Sequence, residues 1–272
     1  MSKITVITPT WNQAAYIEDT IKSVLEQDYR DIEYIIIDNM SDDGTEEIVL
    51  RYMKEDDRII YVREPDKGQA EAINKGFDRA SGQIVCWLNS DDFFYDLSVL
   101  SRVNSFFEEH KDYSLLVGDG YYCDKEKNMT EYNESYRRVS KDVIERWYYI
   151  MQPSVFWRKS SERLDEKYNY VFDWKFFIGL FAKGEVYFSR EPYSVYRMYE
   201  DNKTGQDNAK RKKEIYLLQK ELHPKALNTA WCKHVWEQYE KAERTGNAKL
   251  KSRMDLYSRI LFHITFKKIC SF

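Results

Sequence analysis

The sequence predicts an α/β fold: a mostly parallel central sheet with helices on both faces. Three observations carry that expectation. Continuous apolar runs of strand length recur through the first 88 residues. Amphipathic segments of helical period separate them, which is the pattern of strands buried on both faces. Polar clusters then close three of the runs, and open parallel sheets bind ligands beyond the carboxyl ends of their strands.

Each element follows from local pattern. Ile4 to Thr8 reads as a buried strand. Asn12 is placed to cap a helix whose Ile17, Ile21, Val24 and Leu25 share one face. Tyr34 to Ile37 is a second strand, ending at Asp38. Asp43-Gly44-Thr45-Glu46 has capping-box spacing, with Asp43 as cap, and opens a helix through Ile48, Val49 and Tyr52. Ile59 to Val62 is a third strand. Gly68 to Ala80 is helical, with Ile73, Phe77 and Ala80 on one face. Ile84 to Leu88 is a fourth strand, ending in Asn89-Ser90-Asp91-Asp92.

The second half is less regular. Leu115 to Gly118 reads as a strand, Val139 to Tyr149 as a short helix and Gln152 to Trp157 as an extended segment. Asp173 is expected to cap a helix carrying Trp174, Phe177, Leu180 and Phe181, with Gly184 as its stop. Tyr187-Phe188 and Tyr193 to Tyr196 read as two short strands. From Asn208 onward the chain turns helical and charged.

Composition narrows the function classes. The 272 residues are 43% hydrophobic and 32% charged, which is globular. A net charge of -4 argues against a whole-chain grip on nucleic acid. Met1-Ser2-Lys3 leads into too short an apolar run for a signal peptide, and no run is long enough to span a membrane. The four cysteines, Cys86, Cys123, Cys232 and Cys270, lack metal spacing and read as reduced thiols. Cytoplasmic placement is the expectation.

Asp91-Asp92 is the first chemical signal. Adjacent carboxylates at a strand end repel each other unless a positive charge joins them. Mg2+ and Mn2+ take such oxygen ligands and bridge phosphates. A solvated turn, with Asp92 or Asp96 capping the next helix, is the bland alternative. The pair has company, however. Upstream stand Thr8-Pro9-Thr10-Trp11-Asn12, Ser23-Val24-Leu25-x-Gln27 and Ile37-Asp38-Asn39-x-Ser41-x-Asp43-Gly44-Thr45. Gly68-x-x-x-Ala72-x-Asn74-x-Gly76 and Ala80-Ser81-Gly82 follow, before Leu88-Asn89-Ser90-Asp91-Asp92.

In this order and spacing the set resembles the donor half of the inverting family 2 glycosyltransferases, of the bacterial polysaccharide and O-antigen type. The resemblance implies a GT-A fold over residues 1–204, with a nucleotide-binding half (1–92) and an acceptor and catalytic half (93–204). Residues 205–272 form a helical extension. It also implies a UDP-sugar donor, a glycan or lipid-linked saccharide acceptor, and Mn2+ or Mg2+ as cofactor. Thr8, Pro9 and Thr10 would line the base pocket, and Asp38 would accept the uracil imide N–H. Lys67 and Gln69 would border the nucleotide. Asp91 would contact the ribose or the metal's water, and Asp92 would bind the metal. Asn89 stands where relatives often carry an acid, and Tyr199 where many carry a histidine that ligates metal.

An inverting displacement needs a base for the acceptor hydroxyl. The resemblance assigns that role to Asp173, after Leu164-Asp165-Glu166, with Asp119 as second candidate or as a sugar or acceptor contact. Gln152 would border the sugar, and Lys203 would contact the diphosphate. Two rivals, a nucleotidyltransferase and a glycan-binding module without catalysis, are weaker. The first wants a Gly-rich basic loop that Thr8 to Gln13 lacks; only Tyr199 hints at the second. Lys249 to Phe272 is basic and amphipathic. It fits an anionic membrane surface, peripheral on the inner face, or packing on its own protein or a second copy of the chain.

Overall fold

The computed structural model describes residues 2–135, 144, 145, 148, 150–200, 202, 203 and 209–224, and isolated positions 234, 237, 238, 241, 244 and 245. The helix expected over 139–149 falls mainly outside these residues, as does the basic tail 249–272. Among the described residues no helix is long and apolar enough to cross a membrane. Contacts divide the chain into two compact units, one over residues 1–144 and 148–206, the other over 145–147 and 207–272.

The first unit is a mixed, mostly parallel sheet with flanking helices. Its elements are β1 (Ile4–Thr10), α1 (Ile17–Leu25), β2 (Ile32–Asp38), α2 (Thr45–Met53), β3 (Ile59–Arg63), α3 (Gln69–Arg79), β4 (Ile84–Trp87), β5 (Phe93–Phe94), α4 (Val99–Glu109), β6 (Tyr113–Cys123), β7 (Met129–Asn133), β8 (Val155–Arg158), α5 (Phe172–Lys183) and β9 (Glu185–Arg197). A single 3-10 turn over Gln152–Ser154 precedes β8. The second unit contains α6 (Ala209–Leu222), whose Gln219 amide donates to the Glu145 carbonyl at 2.8 Å.

The sheet order is β3-β2-β1-β4-β8-β6-β9-β5, with β7 paired to β6. β3, β2, β1 and β4 are parallel, and their register sets Thr10 beside Asp38 and Asp38 beside Arg63 at one carboxyl edge. β8 runs antiparallel to both β4 and β6, joining the halves. β1, β2 and β4 are buried at every position, which is why they read as continuous apolar runs. An aromatic cluster of Phe77, Trp87, Trp157, Phe176 and Phe177 crosses the junction, with ring centroids 5.4–6.3 Å apart. Such edge and offset contacts add to area burial.

Several local expectations are corrected. α1 starts at Ile17, and Asn12 does not cap it. Asn12 adopts a left-handed φ of 52° and exchanges hydrogen bonds with Asp42, 3.0 Å each way. α2 starts at Thr45 with Gly44 as its cap residue, at φ 99°, a conformation that suits glycine. Asp43 therefore lies one residue outside and bonds Thr45 and the Ala14 N–H instead. α5 begins at Phe172, so Asp173 sits inside its first turn rather than at the cap. The two short strands near Tyr187 and Tyr193 are one irregular strand, β9, because β6 pairs along its whole length with register shifts. Asp96, not Asp92, serves the next helix: its carboxylate accepts from the Ser98 N–H at 2.8 Å, just ahead of α4.

Gly76 of the α3 motif is a packing glycine. A Cβ there would stand 2.4 Å from Ile7 Cγ2, so α3 presses directly onto β1. Gly76→Ala should lower the urea midpoint, since overpacking costs about 1–3 kcal/mol and alanine's helix preference returns only about 1 kcal/mol. Adding Ile7→Val should recover part of the loss. Unchanged stability in the single variant would mean that β1 yields at no cost.

Candidate active site

The acidic turn after β4 is built before any ligand arrives. The Asp92 N–H donates to the Asn89 carbonyl at 3.1 Å, and the Thr20 hydroxyl holds the Asp92 carbonyl at 2.6 Å. Asp92 is 1% exposed. One of its carboxylate oxygens accepts from the Arg197 backbone N–H at 3.0 Å, the other from Asn89 Nδ2 at 3.2 Å. The half-buried Asp91 accepts from the Tyr199 hydroxyl at 2.9 Å. Burial pushes the Asp91 carboxyl above its ordinary range, with Tyr199 opposing. Burial, then the Asp91 charge, push Asp92 well above it.

Arg197 anchors this turn, and sequence reasoning gave it no role. It is 2% exposed. Its Nε donates to the Asp91 carbonyl at 3.0 Å, Nη1 to the Lys125 carbonyl at 2.8 Å and Nη2 to Asp19 Oδ2 at 2.8 Å. The guanidinium lies over the Tyr16 ring at 4.7 Å, and Tyr16 packs on Tyr199 at 4.9 Å. The available signal was an arginine inside an aromatic strand run, a charge that burial forces into full pairing.

Among the described residues no group of three or more His, Cys, Asp or Glu could hold a metal ion. Asp91 and Asp92 nevertheless fit a hard cation shared with a ligand. Mg2+ is ordinarily held by one or two carboxylates together with substrate phosphates and water. Among the described residues neither carboxylate is ion-paired, since the Arg197 guanidinium bonds the Asp91 carbonyl and Asp19 instead.

The ends of β1 and β2, where the base pocket is expected, are tightly packed. Thr8 is fully buried, its hydroxyl 3.1 Å from that of Tyr34, and Pro9 is buried beside it. The Thr10 hydroxyl is buried and has no hydrogen-bond partner among the described residues. Asp38 is fully buried: one carboxylate oxygen accepts from the Ser41 N–H at 3.0 Å and its hydroxyl at 2.5 Å, the other from the Tyr61 hydroxyl at 2.6 Å. Lys67 is exposed. Gln69 reaches the acidic turn through Asn89, Nε2 to Oδ1, at 2.8 Å. Asn74 is structural: it clamps the loop before α5 through both Leu164 backbone groups and the Glu166 carboxylate.

In the second half, Gln152 joins the same network, accepting from Asn89 at 3.2 Å and donating to the Trp87 carbonyl at 2.9 Å. Asp119 is fully buried and accepts from the Ser135 N–H at 2.6 Å and the Tyr132 hydroxyl at 2.8 Å, so it ties β6 to β7 and the residues after it. Asp173 is partly exposed and accepts from the Trp174 N–H at 2.7 Å. Burial raises its pKa, opposed by the neighbouring Tyr148, the Trp174 N–H and Lys203. The Tyr148 hydroxyl lies beside Asp173 without an aligned hydrogen bond. Lys203 sits over the Tyr170 and Phe172 rings at 5.2 and 5.5 Å.

A parallel sheet with an acidic turn at its carboxyl edge, closed by a strand from the second half, defines a GT-A-type scaffold. The sequence profile of glycosyl transferase family 2 matches residues 5–173, more than half of the chain, and the chain belongs to that family. It is 40% identical over 129 residues to the putative teichuronic acid biosynthesis glycosyltransferase TuaG of Bacillus subtilis, covering 45% of this chain and 51% of the relative. It thus spans about half the length of that relative. It is 29% identical over 236 residues to the GalNAc(5)-diNAcBac-PP-undecaprenol beta-1,3-glucosyltransferase of Campylobacter jejuni, covering 82% and 73%. S. aureus TarS 1-349 in complex with UDP-GlcNAc superposes with a TM-score of 0.65 at 18% identity, over 84% of this chain and 67% of that one. The mannosyltransferase PcManGT of Pyrobaculum calidifontis, with GDP-Man and Mn2+, gives 0.57 at 16% identity, over 95% and 80%.

The raised carboxyls set a pH test. A carboxyl whose folded pKa exceeds its unfolded value supports folding while protonated, and that support is lost as pH rises through the unfolded and then the folded pKa. A bound cation would favour the ionised form of the pair. Mn2+ should therefore raise Tm more at about pH 7.5 than at about pH 5, where protons compete for the same oxygens. The increment should vanish in Asp91→Asn/Asp92→Asn. An equal shift at both pH values, or in the double variant, would place the ion elsewhere.

Proposed function

We propose that this chain transfers a sugar from a nucleoside diphosphate donor, UDP-linked, to a hydroxyl of a glycan or lipid-linked saccharide, with inversion. The observation that carries the reading is the under-neutralised Asp91-Asp92 pair at the carboxyl edge of the sheet, the place where such folds hold a diphosphate. The curated relatives act in polysaccharide and lipid-linked saccharide synthesis by their names, which supports the acceptor class. The complex of TarS with UDP-GlcNAc supports the donor class.

The residues divide the work. The Thr10 hydroxyl and Asp38 belong to the base and ribose end. For Asp38 to meet a base N–H, the Tyr61 hydroxyl must give up its 2.6 Å bond, an exchange of one hydrogen bond for another. Asp91 and Asp92 would hold Mn2+ or Mg2+ against the diphosphate, and the cation would there neutralise charge on the leaving group. Lys203, above Tyr170 and Phe172, adds a positive charge near the reacting centre.

Asp173 is the base. Its carboxylate takes the acceptor hydroxyl proton as the acceptor oxygen bonds the anomeric carbon. The carbon–oxygen bond to the diphosphate breaks, and the nucleoside diphosphate leaves with the electron pair. The rise in pKa from burial suits this role, because a base works best when its pKa approaches the operating pH. One displacement of this kind inverts the anomeric centre.

Asp173→Asn should cut transfer by about 10²–10⁴ while leaving donor affinity and the far-ultraviolet spectrum unchanged. NMR of the product should show a β-linkage from an α-linked donor; an α-product would overturn inversion. Near-normal turnover in the folded variant would remove Asp173 from the role of base.

Calorimetry with Mn2+ should show tighter binding of UDP than of GDP. Asp38→Ala should shrink that preference, since a charged hydrogen bond is worth about 1.5–3 kcal/mol. Equal affinity for both nucleotides in the wild-type protein would refute the uridine assignment.

A further inference from the structure

Asn89 touches three functional side chains drawn from three parts of the fold. Its Oδ1 accepts from Gln69 Nε2 at 2.8 Å, at the start of α3. Its Nδ2 donates to Asp92 Oδ2 and to Gln152 Oε1, both at 3.2 Å. Gln152 Nε2 in turn donates to the Trp87 carbonyl at 2.9 Å, back on β4. The three amides and the carboxylate form one connected chain across the site.

That chain has a single self-consistent polarity. An ionised carboxylate only accepts, an amide nitrogen only donates and an amide oxygen only accepts. The ionised form of Asp92, the form that would hold a cation, selects the nitrogen of Asn89. The oxygen of Asn89 is left facing Gln69, which must offer its nitrogen. At the other end, the Trp87 carbonyl demands the nitrogen of Gln152, so Gln152 offers its oxygen to Asn89. Both ends impose the same orientation on the middle residue.

The polarity also decides what is left over. The Gln69 side-chain oxygen, one Gln69 N–H and one Gln152 N–H have no hydrogen-bond partner among the described residues. We infer that Asn89 is a positioning residue that orients Gln69 and Gln152 so that these spare groups read the hydroxyls of the donor sugar. The inference rests on the reading of this edge as the donor site. It also accounts for the neutral residue at position 89. An aspartate there would face Asp92 with no N–H to offer and would force the Gln152 oxygen toward the Trp87 carbonyl.

Two measurements test it. The first needs no ligand: side-chain amide resonances of Gln69 and Gln152 in nitrogen-15-labelled protein. In Asn89→Ala both should shift and exchange faster with solvent; unmoved resonances overturn the positioning role. The second is calorimetry in Mn2+ with UDP, UDP-glucose, UDP-galactose and UDP-N-acetylglucosamine. Wild-type protein should bind one UDP-sugar more tightly than UDP. Asn89→Ala should weaken that sugar about tenfold relative to UDP, with Asn89→Asp weaker still. Gln69→Ala, which removes one of the proposed reading groups directly, should show the same selective loss if Asn89→Ala folds poorly. Equal losses for UDP and UDP-sugar, or no preference for any sugar in the wild type, overturn sugar reading through this network. If no uridine nucleotide binds at all, the donor reading falls and sugar recognition by Gln69 and Gln152 falls with it. Positioning by Asn89 is then judged on the resonances alone.

Discussion

A buried guanidinium holds the candidate site in shape. Arg197 comes from the last strand of the first unit, yet it bonds the Asp91 carbonyl, the Lys125 carbonyl and the Asp19 carboxylate, while its own backbone N–H reaches Asp92. Asn202 holds its carbonyl at 2.8 Å. The acidic turn, α1 and the Lys125 loop therefore meet at one side chain. A buried charge persists only when its hydrogen bonds are met, so losing one partner is felt by the others.

This arrangement separates two electrostatic jobs. Arg197 supplies a permanent positive charge that fixes the backbone of the turn. It leaves the carboxylates of Asp91 and Asp92 with hydrogen bonds but, among the described residues, without an ion pair, and both carboxyls stay above their ordinary range. A site neutralised completely from within would have no use for a cation and its diphosphate. The polar chain through Asn89 adds direction to this design, because Asp92 at one end and the Trp87 carbonyl at the other set which way Gln69 and Gln152 point.

The aromatic cluster supports both halves mechanically. Phe77 on α3, Trp87 on β4, Trp157 on β8 and Phe176 with Phe177 on α5 pack as one body. α5 also carries Asp173 in its first turn. The helix bearing the candidate base is thus pressed against the strand that ends in the acidic turn. Asn74 reinforces the link by clamping the loop that leads to α5.

The sequence by itself determined the parallel half of the fold. β1, β2 and β4 are buried on both faces and the helices on one, so hydrophobic period separates them. The carboxyl-edge placement of Asp38, Asp91 and Asp92 followed from the same pattern, and the ordered motifs led to the family. Tertiary structure decided what period cannot express. Asn12 and Asp43 moved from caps to loop pairing, because each found a partner about thirty positions away in the chain. Asp119, the second candidate acid, is a buried acceptor for Ser135 and Tyr132, partners that hydrophobic period does not reveal. Arg197 had no role in the sequence reading and proved to be the anchor of the acidic turn. In each case the deciding partner lies far off in sequence, and a polar side chain takes its role from the partner that folding brings to it.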